Sequence, residues 1–198
     1  MIQSHYRSPV DYSDASLKEA RAALIRGYTA LQQIKETLLK VGTPEPDHLK
    51  AAEQTYRDKL NDLQEKFKAA LDDDFNTAQA LGYVFEAARL TNNITTAEKK
   101  MPVAAKKILM DHAQDIFAHF GDVLGVFQSD PDVFFREDRS LEVAKRGLDV
   151  DRIDALIARR KKAREDKDWS LADDIRKELA SLHILLKDAE GGTTWSIE

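Results

Sequence analysis

The sequence contains no cysteine, which excludes disulfide bonds, thiolate zinc sites and a cysteine nucleophile. Only five prolines and eight glycines interrupt the 198 residues, so long segments remain continuous and helix is favoured. No apolar run approaches the roughly 20 residues that are needed to span a bilayer. We therefore expect a cytoplasmic protein with no membrane partner.

Motifs for catalysis and phosphate binding are also missing. The sequence has no G-x-G-x-x-G, G-x-x-x-x-G-K-S/T, H-E-x-x-H or G-x-S-x-G. His112, Asp115 and His119 share one helical face, but no fourth metal ligand can be named. We expect these histidines to pack within the helices and to cap them. The alternative is a metal-dependent enzyme. The acidic run at 72–74 is better explained by the dipole of the following helix than by a bound cation.

The composition is that of a globular chain, with 42% hydrophobic and 33% charged residues. A net charge of −5 argues against nucleic-acid binding unless the charge is unevenly spread. It is uneven, because residues 159–187 carry nine Lys and Arg against six Asp and Glu. Residues 44–76 carry nine acids against five bases. The basic excess near the C-terminus is where a nucleic acid would be attracted.

Four successive segments repeat apolar residues at gaps of three and four, the pattern of amphipathic helices. One runs from Leu17 to Leu38 and the next from Leu49 to Ala70. The third follows "DDDFNT", where Asn76 or Thr77 can cap it, and the fourth covers about 102–126. Short connections predict an antiparallel four-helix bundle over residues 1–128.

The pattern changes in the last third of the chain. Residues 129–149 are polar, contain proline and lack periodicity, so they are predicted to be a linker. Residues 150–198 predict two helices and then a β-hairpin around Gly191 and Gly192. The predicted fold is mainly α, a four-helix bundle followed by a small α+β C-terminal domain.

Trp169 lies within "RRKKAREDKDWSLADDIRKEL", where almost every neighbour is charged. Basic residues around an exposed aromatic ring are typical of a site for single-stranded nucleic acid, in which the ring stacks on a base. Asp173 and Asp188 could accept hydrogen bonds from base amino groups. Alternatively, Asp173 could close a helix N-terminus after Ser170, and Asp188 could begin the hairpin turn.

Four stretches carry a family resemblance: "SHYRSPVDYSD", "LDDDFNTAQALGYVFEAARLTNN", "IDALIARRKKAREDKDWSLADDIRKEL" and "ILLKDAEGGTTW". In this order they resemble the C-terminal half of bacterial cysteinyl-tRNA synthetase, over nearly the whole chain. The resemblance implies a DALR-type helical bundle along the tRNA and a small domain that reads the GCA anticodon. It also implies that Arg164, Trp169, Asp173 and Asp188 contact the anticodon. The sequence departs from the family at its non-basic end, "TTWSIE", and at His183, where Gly is common.

The catalytic half of that family, with its HIGH and KMSKS motifs and zinc site, has no counterpart in this sequence. The resemblance therefore implies no cofactor in this chain, although the parent enzyme would use ATP and zinc. The start at "MIQSHYRS" favours a fragment of a longer enzyme over a stand-alone module. We expect a monomer whose partners are cysteine tRNA and the catalytic domain. The alternative is a helical adaptor that binds a protein through the bundle or around Trp169.

Overall fold

The computed structural model describes residues 2–10, 12–40, 49–96, 101–189 and 192–197. The chain divides into two compact units, Met1–Asp132 and Val133–Glu198. The elements, in chain order, are α1 Asp14–Lys40, α2 Ala51–Asp72, α3 Thr77–Thr96, α4 Val103–Leu124, α5 Pro131–Arg146, α6 Val150–Glu165, α7 Trp169–Ser181, β1 Ile184–Ala189 and β2 Gly192–Ile197. The predicted fold class, mainly α with a small α+β part at the C-terminus, is confirmed.

The first unit is the predicted four-helix bundle, in which α1 and α2 each pack against α3 and α4. Aromatic and aliphatic side chains fill its centre, with Phe67, Phe117 and Phe120 among the largest fully buried residues. As predicted, Asn76 caps α3, because its side-chain oxygen accepts from the Gln79 amide at 3.1 Å. Burial of these apolar stripes stabilises the unit.

The acidic run before α3 is held by the N-terminal segment rather than by the helix dipole alone. Asp74 accepts a hydrogen bond from the Tyr6 hydroxyl at 2.8 Å and pairs with Arg7 at 3.1 Å. The Asp74 hydrogen bond is the main cause that raises the pKa of Tyr6. Asp74 therefore has structural partners in the N-terminal segment, whereas the sequence led us to expect only the helix dipole.

Residues 129–149, predicted to be a linker because they lack periodicity, are largely helical in the structure. Residues Pro131–Arg146 form α5, which has Asp132 in its first turn and Lys145 and Arg146 in its last turn. None of its residues is buried. Its apolar residues are at most partly buried, and the charges at its two ends complement the helix dipole. The predicted domain boundaries themselves remain a prediction.

The second unit contains the predicted helix pair and hairpin. Its small core consists of buried residues from α6, α7 and β1: Ile153, Leu156, Ile175, Leu179 and Ile184. Strands β1 and β2 are antiparallel, with Leu186 opposite Trp195. Trp195 is partly buried and packs against this core. The proposed turn residue Gly191 lies outside the described residues.

His183 precedes β1 in the left-handed region, at φ 58°. This conformation favours glycine, which has no β-carbon to clash with the backbone. The Gly that the resemblance leads us to expect at this position would suit this backbone conformation. Among the helices described, none is both long and apolar enough to cross a membrane.

Candidate RNA-binding site

Trp169 is the first residue of α7 and is set outward by the turn that joins α6 to α7. Lys167 takes a left-handed conformation at φ 61°, and the Asp168 amide donates to the Ala163 carbonyl at 2.8 Å. The Asp168 carboxylate then accepts from the Leu171 amide at 3.0 Å and caps α7. This tight turn returns the chain beside the last turn of α6 and leaves the Trp169 side chain 61% exposed.

The exposed ring lines a surface depression of about 330 Å³. Arg160, Lys161, Arg164 and Glu165 of α6 and Thr193 of β2 form the rest of its lining. Three cations against one carboxylate make this depression locally positive in a chain of net charge −5. An aromatic face beside guanidinium groups is the arrangement that holds an unpaired base and its phosphate. The structure therefore brings together Trp169 and Arg164, two of the four predicted residues.

Asp173 is exposed on α7, one helical turn after Trp169, and the two residues share one face of the helix. Its alternative role as the residue that closes the helix N-terminus is wrong, because Asp168 performs that function. Within the described part of the chain, no hydrogen bond or ion pair engages the Asp173 carboxylate. It remains available as a hydrogen-bond acceptor at the surface.

Asp188 lies in β1, where the backbone register places it opposite Thr193 of β2. Because Thr193 lines the Trp169 depression, the backbone of Asp188 lies next to this site. Strand pairing continues to Ala189 opposite Gly192, so Asp188 is a ladder residue and does not begin the turn. Its side chain is outside the described part of the structure.

Sequence reasoning missed Arg160, Lys161 and Thr193 as neighbours of Trp169. A signal for Arg160 was present, since it precedes Arg164 by four residues and so shares its helical face. Thr193 had no such signal, because its proximity depends on how the hairpin packs against α6.

The histidines considered for a metal have other contacts. The His112 Nε2 atom is 2.7 Å from Asn61 Oδ1, and the His119 ring meets Phe67 edge-on with 6.1 Å between centroids. Burial and the Arg57 charge lower the pKa of His112, against an opposing effect of Asp115. Among the described residues, no group of three or more potential ligands is arranged to hold a metal ion.

Comparison with known proteins gives two domain matches. Residues 66–128 match the DALR domain, and residues 145–195 match the cysteinyl-tRNA ligase anticodon binding domain. The full chain is 39% identical to a cysteine–tRNA ligase of Geobacter metallireducens and 39% identical to one of Geobacter sulfurreducens. The chain therefore matches the C-terminal half of cysteinyl-tRNA synthetases, which carries the DALR and anticodon-binding domains.

The chain spans about two-fifths of these cysteinyl-tRNA synthetases, with 40% and 39% of their lengths covered. A cysteine–tRNA ligase of Magnetococcus marinus is similar to the same extent, at 39% identity over 99% of this chain and 38% of its own length. The anticodon-binding domain of the synthetase family includes all four candidate positions, Arg164, Trp169, Asp173 and Asp188.

Proposed function

We propose that the C-terminal unit reads the GCA anticodon of cysteine tRNA and that the chain supports cysteinyl-tRNA formation in a longer synthetase. The observation that carries this proposal is the exposed Trp169 ring in a depression shared with Arg160, Lys161 and Arg164. The ring offers a stacking face, worth about 1–3 kcal/mol per base. The cations attract the phosphates at the same place.

Specificity requires hydrogen bonds to base edges, which neither stacking nor phosphate attraction provides. In this proposal Asp173 and Asp188 accept from base amino groups, while Arg164 contacts a base or a phosphate. The catalytic region of the parent enzyme would supply the chemistry with ATP and zinc, in the cytoplasm. The DALR bundle would serve as a rigid spacer along the tRNA. Because anticodon recognition alone buries little area, we expect micromolar or weaker binding that weakens steeply with salt.

The test is fluorescence-anisotropy titration of a labelled cysteine-tRNA anticodon stem-loop at low salt, beside a stem-loop with an altered anticodon. We expect preferential binding to GCA, and loss of that binding in Trp169→Ala. Phe75→Ala is the matched control, because Phe75 is an aromatic residue of the first unit that is 71% exposed. It should bind like the unchanged chain.

The carboxylates are tested in the same assay. Asp173→Asn and Asp188→Asn should reduce the preference for GCA more than they reduce overall affinity. Asp174→Asn is the control for Asp173, because Asp174 is the adjacent exposed carboxylate and pairs with Lys177 at 3.4 Å. Equal binding of both anticodons would contradict the proposal and leave only a charged surface. Absence of RNA binding would favour the adaptor reading, in which the Trp169 surface docks on a protein.

A further inference from the structure

A second depression shares Arg160 with the Trp169 depression. It has a volume of about 310 Å³ and is lined by Arg160, Arg176, Ala180 and residues 184–186 of β1. Leu185 contributes an apolar surface that is 50% exposed. Arg160 lines both depressions, so the two are neighbours on one surface of the second unit.

The helices explain why the depressions adjoin. Trp169, Asp173, Arg176 and Ala180 follow one another on α7 at gaps of four, three and four, and so form one continuous stripe. The buried residues of α7 are Ala172, Ile175 and Leu179, so this stripe lies outside the core. The stripe leads from the Trp169 depression at the start of α7 to the second depression near its end.

The chemistry of the two depressions differs. Glu165 contributes a carboxylate to the first, whereas the lining of the second has two guanidinium groups and no acidic residue among those described. Guanidinium groups match the geometry of phosphate oxygens and bind them through paired hydrogen bonds. The exposed Leu185 adds an apolar floor that suits a ribose or a base edge better than a free ion.

We propose that the second depression is a subsite for the nucleotide adjacent to the one stacked on Trp169, with its phosphate held by Arg160 and Arg176. This inference rests on the proposed function and adds to it a backbone-binding role for residues outside the four candidate positions. The unit would then hold two consecutive nucleotides of a single strand. One would be held by stacking and base contacts, and the other by its backbone.

Arg176→Gln tests the phosphate contact, because Arg176 is exposed and its replacement is compatible with a helix. Affinity for the GCA stem-loop should fall about five-fold at low salt, in line with one lost exposed ionic contact. The slope of log affinity against log salt should become shallower by about 0.7, the value for one phosphate of a single strand. Arg159→Gln is the matched control, since Arg159 is exposed on α6 and lines neither depression.

Two substitutions of Leu185, one acidic and one basic, test the same subsite independently. Leu185→Glu should weaken binding of the stem-loop by more than Arg176→Gln does, because it places an anion on the floor that faces the phosphate. Leu185→Lys should bind at least as tightly as the unchanged chain. Both changes occupy an exposed position, and equal thermal unfolding of the two variants would show that the fold is retained.

A methylphosphonate scan locates the contact on the RNA. A series of stem-loops is made in which a neutral methylphosphonate replaces one anticodon phosphate at a time. At one position the replacement should lower the affinity of the unchanged chain. At that same position it should not lower the affinity of Arg176→Gln any further, because the contact is already lost. Unchanged affinity and salt slope in Arg176→Gln, with Trp169→Ala still defective, would overturn the subsite and leave the proposed function intact. No binding of the stem-loop by the unchanged chain would overturn both.

Discussion

The Trp195 indole N–H donates a hydrogen bond to Asp154 Oδ1 at 3.1 Å and so joins β2 to α6. The Arg139 guanidinium lies over the same indole, 5.0 Å from its centroid. The two tryptophans of the chain therefore have different environments. Trp195 is partly buried against the core of the second unit, whereas Trp169 is exposed.

Trp195→Phe should lower the free energy of unfolding of the second unit by about 0.5–1.5 kcal/mol, because it removes this hydrogen bond and retains most of the ring packing. Urea unfolding followed by circular dichroism measures the change. Asp154→Asn keeps an oxygen acceptor for the indole and should cost less. Equal stability of Trp195→Phe and the unchanged chain would show that the bond contributes nothing.

His183→Gly should stabilise the second unit by up to about 1 kcal/mol, since the left-handed backbone at φ 58° is strained for a residue with a β-carbon. The greater freedom of glycine in the unfolded chain offsets part of this gain. His183→Ala keeps the β-carbon and should give no gain. A melting temperature that falls in the glycine variant would refute the prediction.

Gly27→Ala should destabilise the first unit by about 1–3 kcal/mol. A β-carbon at this buried position of α1 would overlap the Phe127 ring, which also packs edge-on against Tyr28 at 5.5 Å. Gly82→Ala is the matched control within α3, where nothing lies within 4 Å of the added carbon. That control should gain about 0.5–1 kcal/mol from helix propensity, and both changes are measured by thermal or urea unfolding.

The stability of the first unit should depend on pH through His112. Its pKa in the folded chain lies below the ordinary value of 6.5, chiefly because burial disfavours the charged ring. The unfolded chain therefore binds more protons as pH falls from about 7 through 6.5, and stability decreases in that window. Above this pH window, His112 is neutral in the folded and the unfolded chain, so it adds no pH dependence to the free energy of unfolding.

His112→Gln provides the comparison, because its amide can still donate to Asn61. Urea unfolding at a series of pH values from about 5 to 8 should show a stability difference between the two proteins that grows with pH up to about 7 and is then constant. A difference that does not vary with pH would contradict the direction of the pKa shift.

Periodicity in the sequence was sufficient to predict the bundle, the helix pair and the hairpin, because each of these elements buries an apolar face. It failed for α5, which buries none of its residues. Pro131 at its start, Asp132 in the first turn and Lys145 and Arg146 in the last turn were helix signals that periodicity alone does not register.

The candidate site was predictable only in part. The contrast between Trp169 and its charged neighbours was visible in the sequence, Asp173 and Asp188 were candidates from their carboxylate chemistry, and the resemblance added Arg164. The N-cap of α7 was not correctly predicted. Asp168 and Ser170 are both good N-cap residues, and only the backbone conformation decides between them. The shared position of Arg160 between two depressions depends on the left-handed turn at Lys167 and on the packing of β1, which no local pattern reveals.

The core of the second unit is small, with Ile153, Leu156, Ile175, Leu179 and Ile184 as its buried cluster. A unit of this size buries a limited fraction of its surface and has little stability in reserve. RNA that binds only the native form at a hundred times its Kd would add about 2.7 kcal/mol to that reserve. Binding and folding of this unit are therefore thermodynamically linked, and RNA that occupies the two depressions would also act as a ligand that keeps the unit folded.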